Sequence, residues 1–278
     1  MAEGSQELTF GRFLKFWRGV HSISQEELAH RLDSSPRHIS RLENGSSRPS
    51  ETMIEDIASA LSLKQRDRNH LRISAGYSPK QEKVDFHASE LKWLRKAMNL
   101  SLKAMDPYPS ALLDSSSNIL MVNRAWVGFY QATIPAAELQ SVSNHYDFLF
   151  SRKGAGTLLT GWQDTLSMIV MSMQQTTLLS NDPEDQRLLD AFMANPNVPE
   201  DWAQRAAKLE PMASFRVQAE FQGRLEKFYS VNQTIGALGP AAYISEPKLT
   251  LSTLYPEDET LDMSFIVSEE LTHPLLNY

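Results

Sequence analysis

The chain has 278 residues, 41% hydrophobic and 22% charged, with a net charge of −7 and no cysteine. This is an ordinary globular composition at a length that suits two domains. The missing cysteine excludes disulfides, thiolate metal sites and a cysteine nucleophile. The longest apolar run, around Met168–Met171, is far too short to cross a membrane, and the opening MAEGSQELTF has no signal-peptide pattern, so a cytoplasmic protein is expected.

Residues 1–8 are expected as a frayed arm. Phe10, Phe13, Leu14, Trp17 and Val20 then lie at helical spacing and predict a helix over about 9–21. The next stretch, SQEELAHRLDSSPRHISRLENG (Ser24 to Gly45), holds two short helical patterns around a tight turn. Ser24 with Glu27 forms a capping box, starting a helix at Gln25 whose apolar face is Leu28, Ala29 and Leu32. Asp33-Ser34-Ser35 breaks it. Ser35 suits an N-cap and Pro36 the first helical position, where its missing N–H costs nothing. Ile39 and Leu42 face inward, three apart. Arg37, His38, Ser40, Arg41 and Asn44 are left outside, and Asn44-Gly45 stops the helix. The pattern is a helix-turn-helix whose second helix offers long polar side chains to a groove.

A turn at Arg48-Pro49-Ser50 precedes a fourth helix through Ile54, Ile57, Ala58 and Leu61. Gln65 to Ala75 is the fifth, ending at Gly76. Between Phe10 and Ser50 there are seven basic and four acidic residues, a net of +3, which leaves −10 for the rest. A modestly basic module is joined to an acidic one, so DNA binding needs only that local face, and its weakness points to a dimer.

Domain boundaries are expected at 1–77 for the DNA-binding module, 78–88 for a polar linker and 89–278 for the second domain. In the second domain, Leu91, Leu94, Met98 and Leu102 mark an amphipathic helix over 89–105. Short strands follow at Ala111–Asp114 and Ile119–Val122. Asn123 caps a helix over Arg124–Gln131. Three helices come next, one around Trp162–Met173 and two over Asp185–Ala194 and Glu200–Leu209. Strand character returns at Phe215–Phe221, Leu225–Ser230, Leu249–Tyr255 and Met263–Val267.

SQEELA, ISRLENG and RPS resemble the DNA-binding domain of repressor-like (Cro/C1, XRE-type) regulators over about the first 78 residues. Asp33 and Ser34 depart from it, since the family usually has glycine and an apolar residue there. Together with Ala75-Gly76-Tyr77, PSALLDSSSNILMVNRAW (Pro109 to Trp126) and PKLTLSTLYPEDE (Pro247 to Glu259), the whole chain resembles the MmyB-like regulators. The resemblance implies an α+β protein, with a five-helix DNA-binding bundle followed by a PAS-like domain of antiparallel sheet and helices. It implies double-stranded operator DNA as partner, a homodimer, and base reading by Arg37, His38 and Arg41, since arginine pairs bidentately with guanine. Gln25, Ser35, Ser40, Asn44 and Arg48 are the expected DNA-backbone contacts. Arg18 and Glu43 correspond to a structural ion pair between the first helix and the recognition helix.

Trp126, Phe129, Tyr130, Trp162, Met168, Met171, Met173 and Phe192 are core by residue type. A PAS-like pocket would be lined by such residues, and the methionines make an adaptable apolar surface. A cavity with one or two polar anchors is therefore expected, with a fatty acid or similar lipid as effector and no other cofactor. The rivals are a filled dimerisation module and a haem or flavin holder. Arg152-Lys153-Gly154-Ala155-Gly156 lacks the GK[ST] ending of a phosphate loop, and no catalytic constellation stands out. An enzyme is not expected.

Overall fold

The computed structural model describes residues 3–80, 85–180, 183–209, 216–235 and 249–278. The described residues fall into two units, divided between 80 and 85.

The first unit is five helices: α1 (Glu3–Val20), α2 (Gln25–Arg31), α3 (Pro36–Glu43), α4 (Glu51–Ala60) and α5 (Gln65–Ser74). Helix α1 starts at Glu3, so the expected frayed arm is helical. Three serines cap as the sequence predicts. Ser24 Oγ accepts from Glu27 N–H at 3.0 Å, Ser35 Oγ from His38 N–H at 3.2 Å, and Ser50 Oγ from Met53 N–H at 3.1 Å. Only the serine half of the capping box forms, because the Glu27 carboxylate accepts from Arg31 at 2.9 Å instead. The core is closed by Phe10, Leu14, Leu28, Ile39, Leu42, Ile54, Ile57 and Leu71, all inaccessible to solvent.

All five helices end the same way. The second residue past each helix adopts positive φ, and the next N–H returns to a carbonyl five residues back, a Schellman closure. The left-handed residues are Ser22 (φ +52°), Asp33 (+48°), Gly45 (+74°), Ser62 (+50°) and Gly76 (+79°). The closing bonds are Ile23 to Arg18, Ser34 to Ala29, Ser46 to Arg41, Leu63 to Ala58 and Tyr77 to Arg72, at 2.8–3.0 Å. Asp33, the departure noted in the turn, thus sits where glycine costs least.

Two contacts lock α1 to α3. Gly11 lies so close that a Cβ there would overlap the carbonyl oxygen of Glu43. Arg18 donates to Glu43 Oε1 from Nε at 2.7 Å and to Oε2 from Nη2 at 3.2 Å, and its Nη1 donates to Ile23 O at 2.8 Å. Of the expected linker, 81–84 lie outside the described residues. Before them, Lys80 exchanges two 2.9 Å hydrogen bonds with Asn69. After them, Phe86 is buried and its carbonyl accepts from Arg95 at 2.6 Å.

The second unit contains α6 (Lys92–Met105), β1 (Ser110–Leu113), β2 (Ile119–Val122), α7 (Arg124–Gln131), α8 (Ala136–Gln140), α9 (His145–Phe150) and β3 (Leu159–Thr160). It continues with α10 (Trp162–Ser180), α11 (Pro183–Met193), α12 (Trp202–Lys208), β4 (Arg216–Phe221), β5 (Arg224–Ile235) and β6 (Leu249–Pro256). The six strands form one antiparallel sheet in the order β2-β1-β6-β5-β4-β3. Alternation sorts its two faces. Leu112, Leu249 and Leu251 pack outward on Met98 and Leu102 of α6, while Ala111, Leu113, Ala219 and Phe228 pack inward with Trp126 and Phe129 of α7.

Asn123 is the cap the sequence predicts. Its Oδ1 accepts from the N–H groups of Trp126 and Ser110, each at 2.9 Å, and its Nδ2 donates to Tyr108 O at 2.8 Å. β5 is longer than expected, running from a hairpin turn with positive φ at Gln222 and Gly223 to Ile235. The strand expected over Met263–Val267 is instead a 3-10 turn at Ser264–Ile266. The Asp262 carboxylate accepts from Ser264 N–H at 2.8 Å and starts that turn, and Ile266 seats against Gly128 of α7, where a Cβ would overlap its carbonyl.

Candidate DNA-reading face and ligand cavity

Helix α3 is fixed by its cap, by Ile39 and Leu42 in the core, and by the Glu43 cluster. That leaves its outer face free to carry chemistry. Arg37 and Arg41 stand one turn apart and are both exposed. Arg37 has no side-chain partner among the described residues, and Arg41 makes only a long 3.4 Å contact to Ser46 O. His38 and Ser40 are half-buried on the flanks of the same face.

The expected DNA-backbone contacts divide. Ser35 Oγ is the helix cap, and Asn44 Oδ1 accepts from Ser46 N–H at 3.0 Å, so both are partly committed within the fold. Arg48 lies with its guanidinium 5.1 Å from the centre of the Tyr77 ring. The Gln25 amide donates to Glu43 Oε2 at 2.7 Å, joining the Arg18–Glu43 pair. Its side chain therefore holds the recognition helix, and the N–H groups at the start of α2 are what remains for a phosphate.

In the second unit, the inner face of the sheet and α10 flank a partly open cavity of about 830 Å³, within the range of small-molecule sites. Of the eight expected lining residues, Trp126, Tyr130, Met168 and Met171 are in its wall. The other four belong to packed core. Phe129 stacks on Phe221 at 5.3 Å and meets Phe228 edge-on at 5.6 Å. Trp162 is turned away, its Nε1 donating to Leu149 O at 2.7 Å. Phe192 packs on Phe150 at 4.8 Å, and Met173 lies in that same cluster between α9, α10 and α11. Residue type cannot separate these two sets; the side of α10 each methionine occupies does. Leu166 and Val170 face solid core, and Met168 and Met171 the cavity.

The wall is more polar than the expected one or two anchors. Ser230, Asn232 and Thr234 of β5 and Thr250 and Ser252 of β6 all line it. Sequence reasoning missed them, although the alternation in Leu249-Thr250-Leu251-Ser252 already separates two faces. His145 also reaches the wall, with Nδ1 shut off from solvent and without a hydrogen-bond partner among the described residues. Burial pushes its imidazole down to about 4, so it is neutral at pH 7, and burial pushes the Tyr130 phenol well above its ordinary value. Among the described residues no cluster of three or more His, Asp or Glu side chains is arranged to hold a metal ion, and no helix is long and apolar enough to cross a membrane.

Comparison with known families decides what these two sites belong to. Residues 15–64 match a helix-turn-helix family model, and residues 94–262 match the MmyB-like transcription regulator ligand binding domain. The chain belongs to the MmyB-like transcription regulators. A comparison with curated proteins gave no significant match. The MmyB-like regulator is thus a DNA-binding protein with a ligand-binding domain, not an enzyme. Its α3 face lies in the helix-turn-helix match, and its cavity lining, from Pro109 to Leu254, lies in the ligand-binding match.

Proposed function

We propose that this regulator binds a two-fold operator as a homodimer in the cytoplasm, and that a small molecule in the second-unit cavity alters that binding. Arg37 and Arg41 read base edges in the major groove, with His38 beside them. Ser35, Ser40, Asn44, Arg48 and the main-chain N–H groups at Gln25 set the register on phosphates. The observation that carries this is the pair of exposed arginines one turn apart on a helix otherwise fixed by its cap, core and ion pair. The modest +3 charge of the segment from Phe10 to Ser50 supports two copies acting together.

The effector is a molecule with a large apolar surface, which Met168 and Met171 support. To act, it must favour one arrangement of the protein over another. Selection of binding sites from random duplex DNA by the purified full chain tests the reading. An inverted repeat with guanine recurring in each half is expected, whereas an unrepeated site or no enrichment would remove the dimer reading.

A further inference from the structure

On one side of the cavity α10 supplies Met168, Ile169 and Met171, with Thr165, Ser172 and Gln175 among them. The facing strands β5 and β6 supply hydroxyls and an amide, with Leu254 beside them. Cross-strand register pairs Thr234 with Thr250 and Asn232 with Ser252, and Ser230 follows on the same face of β5. From Ser230 to Thr234 this strip runs roughly 13 Å at the rise of a strand.

None of the five side chains has a hydrogen-bond partner among the described residues. The contrast lies on the other face of β6, where the Thr253 hydroxyl is matched by Ser110 Oγ at 3.0 Å and Leu249 and Leu251 are packed. The wall also lacks a cation: no lysine or arginine is among its described residues. Its one carboxylate, Asp114, is turned into its own loop, accepting from the N–H groups of Ser116 and Asn118 at 2.9 and 2.8 Å and from Asn118 Nδ2 at 2.8 Å. A fatty-acid carboxylate would find no counter-charge here. Its chain, laid along the strip, would strip water from hydroxyls and give nothing back.

We propose that the cavity takes an uncharged, polyoxygenated small molecule. Its hydroxyl or carbonyl groups lie along one edge, on Asn232, Ser252, Thr234 and Thr250, and its apolar face lies under Met168 and Met171. This rests on the reading of the cavity as the effector site and narrows the class of effector. A site built from polar groups discriminates against ligands that leave those groups unpaired, so the strip sets specificity while the methionines adapt to shape.

Calorimetric titration of the full chain tests it with two panels. One is saturated fatty acids from octanoate to palmitate. The other is uncharged oxygenated molecules of similar size: macrolactone aglycones, flavonoid glycosides, and alkyl glycosides below their micelle concentration. The tightest binder is expected from the second panel. The combined variant Thr234→Val, Ser252→Ala, Thr250→Val should lose about tenfold or more toward it at an unchanged melting temperature, because valine keeps threonine's shape and strand preference. Should that variant melt early, Asn232→Leu, at an exposed position in the middle of the strip, gives the same readout. A fatty acid as the tightest binder, or affinity unmoved by these changes, overturns the polyoxygenated class. The effector site itself survives that result if Met171→Trp abolishes the binding seen. No binding from either panel, or binding that Met171→Trp leaves intact, overturns both.

Discussion

The two units solve opposite problems. The first presents its site outward: α3 displays arginines on a scaffold held by caps, Schellman closures and the Arg18–Glu43–Gln25 cluster. The second presents its proposed site inward, where hydroxyls of β5 and β6 and the Nδ1 of His145 have no hydrogen-bond partner among the described residues. A reading head needs a rigid mount, while a sensor needs polar capacity left open for something else to complete.

The sharpest way to break that contrast is to remove the mount. Glu43→Ala leaves the part-buried Arg18 without its counter-charge and Gln25 without its acceptor. It should destabilise the first unit by about 3–5 kcal/mol, measured as lost hydrogen-exchange protection in α1–α3. Unchanged protection would show that the cluster is decoration.

The second unit should respond to acid instead. His145 has its folded pKa pushed down to about 4 from an ordinary 6.5. The unfolded chain therefore takes up the proton first, and stability falls as pH drops from about 6.5 toward 4, by about 2–3 kcal/mol in all. Unfolding followed at several pH values should show the slope, and His145→Phe should flatten it.

Arg41→Ala should cost about 1–3 kcal/mol on the selected operator and relax preference at one base position. Equal loss on cognate and scrambled duplexes in a gel shift would demote Arg41 to a phosphate contact. The smallest effect is Asp33→Gly, which should stabilise the first unit by up to about 1 kcal/mol by relieving a left-handed residue with a Cβ. A melting temperature that falls would mean the Asp33 side chain contributes more than its backbone costs.

The first unit was legible because its determinants are local. Ser24, Ser35-Pro36 and Ser50 announce helix starts within three residues, and Gly45 and Gly76 announce ends. Arg18–Glu43 was legible only through the family resemblance, being 25 residues apart. In the second unit Asn123 and its helix were equally local. The cavity was not, because it depends on the pairing of Asn232 with Ser252 and on which side of α10 each methionine falls. Period-two alternation in β6 names two faces without saying which meets a void. Residues 263–267 carry strand-forming side chains, but the carboxylate of Asp262 turns the chain before a strand can form.

The absence of a side chain at Gly11 has a mechanical consequence. With the backbone of α1 seated directly on the last carbonyls of α3, and Glu43 clamped by two other residues, the recognition helix has no hinge of its own. A stylus welded to its arm writes differently only when the arm is moved. On the proposed function, an occupant of the cavity would act on the operator by displacing the five-helix body as a piece, and not through bending of α3 against its neighbours.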